Sequence, residues 1–509
     1  MKQKQWFWAV WLIYVVTWVV IASLSAPSLD SYGDMVENYA WSQTWTWGSF
    51  KHPPLFVWMV KLWFMLFPTQ AWAYYVLSYL NAGLGILGIV ALAKLWLPEH
   101  TRSDRQSIYG LMVLAFGLLG LPYANLASKF NADTVLLSLW PWTTYVFFRV
   151  LKKEQTSLVW LTLLGFMGAL AVLGKYYSAV LLLTLVIISV SEAQYRVWYR
   201  SFAPYFVVLI FILVLLPHVI WEVQMNFPFQ QYLGDKFEGG LRQDRMLSFL
   251  LSLLFYWPLT WIVGGFLYTK WRGNVTTDSV SLAMPVRSLY LLFLLPAIIT
   301  VLLHLSLGVH LTTHWAIPIG FALPALIGSH LYGRLPESVN WFSGVKKLGW
   351  FGMILVLGAC FYTGFLSYQG NPKYTLGREE MAQSINQHFA QRFPNQTLGW
   401  VGGTWSEPGA VAFFSNQHPR AVPSFPDQMP ALVNPHPTWS REYGVILCYD
   451  FNHLGKKGVF NETCEQNTQR WLLQRGLPEI KEVLVYQAEG WRYLKPQEKN
   501  ITVFWITPK

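Results

Sequence analysis

The chain has 509 residues, of which 54% are hydrophobic, 17% aromatic and only 12% charged. That charged share is about half the share usual in soluble globular domains, which excludes water as the main solvent of the chain. The net charge of +11 does not argue for nucleic acid, because most basic residues of the apolar part fall in short loops between apolar runs, where they set topology.

Residues 1–26 open with Lys2 and Lys4 and continue in an apolar run that is too long for the core of a signal peptide and carries Trp and Tyr throughout. A retained first span near residues 6–24 is predicted. Further spans are predicted near 72–97, 108–122, 134–150, 158–173, 177–193, 203–221, 247–269, 289–308, 315–332 and 348–366. The expected fold class is an α-helical polytopic membrane protein with about 11 to 13 transmembrane helices and a C-terminal α/β domain. Residues 53–67, PPLFVWMVKLWFMLF, are apolar but short and opened by two prolines, which predicts an interfacial or re-entrant helix along the outer surface.

Lys2, Lys4, Lys94, Arg102, Arg105, Arg149, Lys152, Lys153, Arg196, Arg200, Lys270, Arg272, Arg287, Arg334, Lys346 and Lys347 collect on one side of this arrangement. Lys51, Lys61, Lys129, Lys175, Lys236, Arg242 and Arg245 fall on the other. The positive-inside rule assigns the first group to the cytoplasm, and an odd number of spans then puts everything after about residue 367 outside. The expected division is a membrane domain over 1–367 and a periplasmic α/β domain over 368–509. In the latter, residues 378–393 and 463–474 read as helices, and TLGWVGG at 397, GAVAFFS at 409, GVILCYD at 444, EVLVYQ at 482 and ITVFWI at 501 read as strands. Of the three cysteines, Cys360 lies in an apolar span, while Cys448 and Cys464 lie in this polar region. An oxidising compartment permits those two to pair, but spacing alone leaves their geometry open.

The first outer loop, LDSYGDMVENYAWSQTWTWGSFKHPPLFVW, gathers Asp30, Asp34, Glu37, Lys51 and His52 beside the membrane. Solvated loop charges are the common explanation of such a group. The flanking tryptophans and the Pro-Pro junction argue instead for an ordered loop apposed to the membrane. A transfer that displaces a lipid phosphate needs a carboxylate to orient or deprotonate the acceptor and cations to stabilise the leaving phosphate. Asp34 or Glu37 suits the first task, Lys51 and His52 the second. Lys175 sits where an apolar run meets the outer surface and, on composition alone, serves equally well as a snorkelling interface lysine. Lys236, Arg242 and Arg245 form a second outer basic group, with an ordinary charged loop an equal reading for Arg245. Trp221 and Glu222 fall at a span exit, and His310 and His314 flank a similar junction before Trp315. Tryptophan at such a place most often anchors the interface. His52, Glu222 and His314 have side chains suited to a divalent metal, without dedicated spacing such as His-Glu-x-x-His. No P-loop or dinucleotide glycine pattern is present, so nucleotide-driven transport has no support.

The pattern D-x-x-E-N-x-A-W-S-Q followed by W-G-x-x-K-H-P-P-L resembles the first outer loop of bacterial membrane glycosyltransferases of the protein O-mannosyltransferase and lipid A aminoarabinose transferase superfamily, which have the GT-C fold. FNAD at 130–133 resembles the second-loop aspartate motif, LGKYYSAVLLL from Leu173 the Ser-Lys-Tyr segment, and PHVIWEVQMNFPFQQYLGDKFEGG from Pro217 the P-x-x-x-W-x-x-Q loop. THWAIP from Thr313 and WVGGTWSEPGAVAFFS from Trp400 resemble later motifs, so the resemblance runs over nearly the whole chain. It implies that Asp34 is the principal catalytic carboxylate and Asp133 a second acidic residue facing the same cavity. Many relatives have an adjacent Asp-Glu pair, whereas Met35 follows Asp34 here; Glu37, one turn on, shares a helix face with Asp34.

The resemblance further implies a hexosyl or pentosyl transferase of the bacterial inner membrane, using a polyprenyl-phosphate sugar such as an undecaprenyl-phosphate sugar as co-substrate, with inversion at the anomeric carbon. Lys51, His52, Lys175, Tyr176, Lys236 and Arg242 would bind the donor phosphate, and Trp221, Glu222, His314 and Trp315 would line the substrate cavity. The expected partners are the lipid-linked donor, a lipid or glycan acceptor such as lipid A, its core or another cell-surface glycan, and membrane lipids, with no nucleic acid. A divalent metal is compatible with the residues but not required by them. The alternatives are a protein O-glycosyltransferase using the same donor class and a transporter or flippase of lipid-linked sugars. The latter would be expected to show mid-membrane charges or broken-helix repeats, which the sequence does not display.

Overall fold

A computed structural model describes residues 2–152, 157–230, 234, 243–272, 282–335, 341–371, 376–404, 406–426, 441–448, 459–488 and 496–508. Each predicted span coincides with helix. Lys2–Ser25, Ala71–Lys94, Ala203–Gln224, Val286–Leu307 and Trp341–Tyr368 are continuous helices of 22 to 28 residues, long enough at 1.5 Å per residue to cross a hydrocarbon core. Ala203–Gln224 displays Leu209, Ile212, Leu213 and Leu216 at 44–53% exposure. Apolar side chains turned outward over a whole helix are what lipid-facing helices present.

Three other spans are bent. Ser103–Leu118 turns by 84° into Leu121–Ser128, Ser178–Ser191 by 103° into Ala193–Arg200, and Gln243–Phe255 by 45° into Pro258–Lys270. The predicted 315–332 span is likewise interrupted. Two short 3₁₀ turns, Thr313–Ala316 and Ile319–Ala322, precede the helix Leu323–Leu331. Leu136–Lys152 and Leu158–Gly174 are 17-residue helices. The expected short segment after the two prolines forms the helix Leu55–Leu66.

The chain divides into two compact units that are not a single cut of the sequence. One comprises residues 1–18, 50–55 and 76–353, the other 19–49, 56–75 and 354–509. Within the first, Gly174 lies so close to the helix Leu136–Lys152 that a Cβ there would stand 2.7 Å from Leu139. A side chain at that position would push the two helices apart, so glycine is what permits the approach and ends the helix at the next residue.

The second unit contains the α/β domain. Its five strands are β1 (Leu398–Gly403), β2 (Arg420–Pro423), β3 (Tyr443–Cys448), β4 (Lys481–Ala488) and β5 (Gln497–Ile506). They form one mixed sheet in the order β2-β1-β3-β5-β4. β1 pairs in parallel with β2 and β3, with Val401 opposite Val445, and β5 runs antiparallel to β3 and β4. Two helices, Arg378–Arg392 and Val459–Arg475, correspond to the predicted ones. Residues 409–415 do not form the expected strand: Glu407–Phe414 is a helix, opened by Pro408 in its first turn. Proline pre-set for a helix start and the good helix formers Ala410 and Ala412 outweigh the strand preference of Val411, Phe413 and Phe414. One face of the sheet packs Trp400, Ile446, Phe504 and Ile506 against Trp471 and Leu472.

Cys448 and Cys464 are joined by a disulfide, with Cα atoms 5.6 Å apart. The bond ties the end of β3 to the helix over that core. Closing a loop of this length removes about 3 kcal/mol of chain entropy from the unfolded state. Replacing both cysteines by serine, or reducing the protein, should therefore lower the melting temperature of the α/β domain by several degrees in differential scanning calorimetry, with little change in the helical signal of the membrane part.

Candidate functional site

Two clusters contain most of the candidate residues, one in each unit. In the first unit, the turn Phe130–Thr134 precedes the helix Leu136–Lys152. The Asn131 side-chain oxygen accepts the backbone N–H of Asp133 at 3.0 Å and of Thr134 at 3.1 Å. The Thr134 hydroxyl accepts from the Asn131 N–H at 3.0 Å and donates to the Lys129 carbonyl at 2.7 Å. These side-chain bonds satisfy helix-start amides that have no intrahelical partner. They hold Asp133 at the rim of the helix.

Lys175 is the first residue after Gly174, with extended backbone. It forms an ion pair with Asp133, and the two side chains are only 11% and 14% exposed. The next residue, Tyr176, donates its phenolic proton to Glu222 Oε1 at 2.7 Å and stands 2.7 Å from His218 Nε2. Burial first, and then the hydrogen bond to Glu222 and its charge, hold the Tyr176 phenol well above the ordinary tyrosine range. Glu222 and His218 are buried and lie one turn apart on the helix Ala203–Gln224. Trp221 is buried beside them, its ring stacked with that of His218. Tyr177 turns the other way, with its hydroxyl 2.6 Å from that of Thr300 and its ring 5.1 Å from Trp315.

The structure thus brings together Asp133, Lys175, Tyr176, Trp221 and Glu222 from the predicted set and adds His218, which sequence reasoning missed. The available signal was the i,i+4 spacing of His218 and Glu222. His314 is exposed on a 3₁₀ turn beside Trp315. Lys51 and His52 are half-buried in the loop before Leu55. Lys236 and Arg242 lie outside the described residues. Among the described residues, no three His, Cys, Asp or Glu side chains gather as a metal site would require, so His52, Glu222 and His314 form no such group. The single Tyr176 proton is committed to Glu222; donating to a phosphate, as expected from the sequence, would require giving that bond up.

In the second unit, Asp34 opens the helix Asp34–Ser42, with Glu37 one turn on and buried at 6% exposure. The Asp30 carboxylate accepts the backbone N–H groups of Gly33 (2.9 Å), Asp34 (3.1 Å) and Met35 (2.8 Å). Asp30 is therefore the anion that satisfies this helix start. Gly33 has φ of +95°, and a Cβ there would stand 2.6 Å from Ser406 and 3.1 Å from the Arg378 guanidinium. Arg378, 3% exposed, donates through Nη1 to the carbonyls of Ser28 (3.0 Å) and Asp30 (2.7 Å). The far end of the helix is tied down too: Gln43 donates to the Pro419 carbonyl at 3.0 Å and accepts the Ala421 N–H at 2.8 Å. Helix Glu407–Phe414 packs along Asp34–Ser42. Arg378 belongs to no motif weighed in the sequence, and Glu407, which lies in the segment from Trp400, is not singled out there; the burial of a charged side chain marks both.

The fold and these clusters define a polytopic membrane protein of the GT-C type with an appended α/β domain. Its fold is shared with ArnT from Cupriavidus metallidurans. The structure of that protein bound to undecaprenyl phosphate matches with a TM-score of 0.54 at 14% identity, covering 98% of this chain and 97% of that one. The structure of its apo state matches with a TM-score of 0.58 at 14% identity, covering 99% and 98%. Residues 51–221 match the family described as dolichyl-phosphate-mannose-protein mannosyltransferase. That segment contains Lys51, His52, Asp133, Lys175 and Tyr176. No curated protein matches the chain. The family match covers residues 51–221 alone, and the two solved structures show a shared fold.

Glu407 provides a pH test of the loop's underpinning. It is fully buried, and burial raises its pKa above 4.5, opposed by the Arg378 charge and the Ser406 hydrogen bond. The folded form therefore holds its proton longer than the unfolded form, and this contribution to stability is lost as pH rises from the unfolded value through the folded one. Thermal melts between about pH 4 and 8 should show a falling limb that Glu407→Gln flattens; an unchanged pH profile in the variant would contradict the assignment.

Proposed function

We propose that the chain is an inverting glycosyltransferase that moves a sugar from a polyprenyl-phosphate donor to a periplasmic lipid or glycan acceptor, such as lipid A, its core or another cell-surface glycan. The observation that carries this reading is the buried Lys175–Asp133 ion pair beside the Tyr176–His218–Glu222 cluster, at a helix break inside a segment similar to mannosyltransferases named for a lipid-phosphate donor. The solved ArnT bound to undecaprenyl phosphate supports the same donor class.

In the proposed step, Asp34 accepts the proton of an acceptor hydroxyl as its oxygen attacks C1 of the sugar on the face opposite the phosphate. The C1–O bond to phosphate breaks with inversion, and the lipid phosphate leaves with the bonding electrons. An acceptor that is itself a phosphate needs no deprotonation, and Asp34 then only positions it. Lys51, His52 and Lys175 stabilise the departing charge. Lys175 has three donors, of which Asp133 engages one side, so Asp133 holds the ammonium in place for the phosphate. Lys236 and Arg242 are further phosphate candidates from the sequence. Trp221, Glu222, His314 and Trp315 are assigned to the substrate cavity, and Glu37 to supporting Asp34.

The proposed domains are the membrane domain over 1–367 and the α/β domain over 368–509, the latter on the periplasmic side of the inner membrane. Two features support that side: the excess of Lys and Arg in the opposite loops, and the Cys448–Cys464 disulfide, which persists in oxidising compartments. A serine or threonine acceptor on a protein is the second reading, favoured by the family that residues 51–221 match.

Purified protein offered a panel of polyprenyl-phosphate sugars should release free polyprenyl phosphate when lipid A or a serine-containing peptide is present, and the productive acceptor separates the two readings. Asp34→Asn should slow release by roughly 10²- to 10⁴-fold, the usual weight of a positioned acid–base group. Equal turnover by the variant would falsify the role of Asp34. Separately, a reporter active only in the cytoplasm and fused after Lys509 should be inactive; robust activity would reverse the orientation.

A further inference from the structure

A second cluster of cations lies in the first unit, away from the residues assigned to sugar transfer. A cavity of about 540 Å³ is lined by Lys94 at the end of Ala71–Lys94 and by Arg149 and Lys152 in the last turn of Leu136–Lys152. Its walls include the rings of Trp8, Trp142 and Tyr145. Among the lining residues Glu99 is the one acid, so the cavity is net cationic.

Cations at helix C-termini have an ordinary use, which is to meet carbonyls left without intrahelical donors. Lys152 does this, its ammonium donating to the Leu95 carbonyl at 3.0 Å. Arg149 does not. Among the described residues its guanidinium makes no hydrogen bond or ion pair; it lies over the Trp160 ring, 5.7 Å from the centroid, with Nε buried and unpartnered. A half-buried guanidinium held against an indole and without a hydrogen-bond partner among the described residues keeps its donors for an anion, and its planar fork matches the oxygens of a phosphate. The apolar surface of Leu87, Val90 and Ala91 continues the cavity along the helix. A ligand that fits both ends has an anionic head and a hydrocarbon body.

We propose that this cavity binds the phosphate headgroup of an anionic glycerophospholipid from the leaflet at the lysine- and arginine-rich end of the helices. Arg149 and Lys152 receive the phosphate, Lys94 adds charge, the tryptophan and tyrosine rings sit at headgroup depth, and the acyl chains follow the helix surface. Basic pockets between helices at this face are suited to such headgroups. The assignment stands independently of the transferase reading.

The test is native mass spectrometry of the full chain in detergent, titrated with phosphatidylglycerol, with phosphatidylcholine of the same acyl chains, or with inorganic phosphate. Phosphatidylglycerol should remain bound where phosphatidylcholine is lost. Arg149→Gln should weaken retention roughly five- to tenfold. Glu99→Gln, which removes the opposing charge, should strengthen it about threefold, a gain that a misfolded variant cannot produce. Equal retention of both lipids, or no response to either substitution, would overturn the proposal. Inorganic phosphate displacing the lipid at millimolar concentration would overturn the lipid occupant and assign the site to a soluble anion.

Discussion

Hydrocarbon accepts a polypeptide only where each backbone N–H and C=O finds its partner within the same segment, and that constraint decides where chemistry can sit in this chain. Along an unbroken helix the backbone is self-satisfied and the side chains outside are apolar, as Ala203–Gln224 shows over most of its length. An ionisable group in the middle of such a surface would pay for desolvation without a partner. The charged and hydrogen-bonding residues appear instead where helices stop. Lys175 follows Gly174 into extended backbone, Asp133 stands in the turn that Asn131 and Thr134 hold together, and Asp34 begins a new helix.

Each break then needs its own substitute for the lost helical bonds, and different substitutes are used in the two units. Before Leu136–Lys152 an asparagine side chain imitates the missing backbone. Before Asp34–Ser42 a carboxylate accepts three successive amides, and a buried arginine fixes the carbonyls on the other side of the same turn. The same arginine's charge also acts on the buried Glu407, where it opposes the effect of burial. The turn is consequently specified by contacts to its backbone.

Much of this architecture was legible because hydropathy is a long-range signal. An apolar run of 20 residues has one economical conformation in a membrane, and each predicted span contains helix. The interruptions were less visible: the 84° turn after Leu118 lies inside the predicted 108–122 span. Residues 409–415 were misread because alternating apolar residues fit a buried strand and a short buried helix equally well, and the deciding signal was Pro408 just upstream. The pairing of Cys448 with Cys464 depends on the sheet bringing β3 under the following helix, which no spacing rule conveys. Among the site residues, Asp133 and Lys175 were identifiable as charges at span ends, but their pairing across 42 positions was not. His218 was hidden in an apolar run, where a lone histidine most often reads as a satisfied core residue.

The Tyr176 cluster shows how proton counting constrains what such a site can do. One phenolic proton is shared among three residues, and it points to Glu222. His218 Nε2, at 2.7 Å from the same oxygen, must then be the donor, since the phenol has no second proton to give. That order places a hydrogen on Nε2 and makes the tyrosine oxygen the acceptor. Burial and the Glu222 charge both raise the phenol's pKa, so the phenol stays protonated. Tyr176 thereby links His218 and Glu222, and on the proposed mechanism Lys175 next to it, with Lys51 and His52, meets the charge of the leaving phosphate.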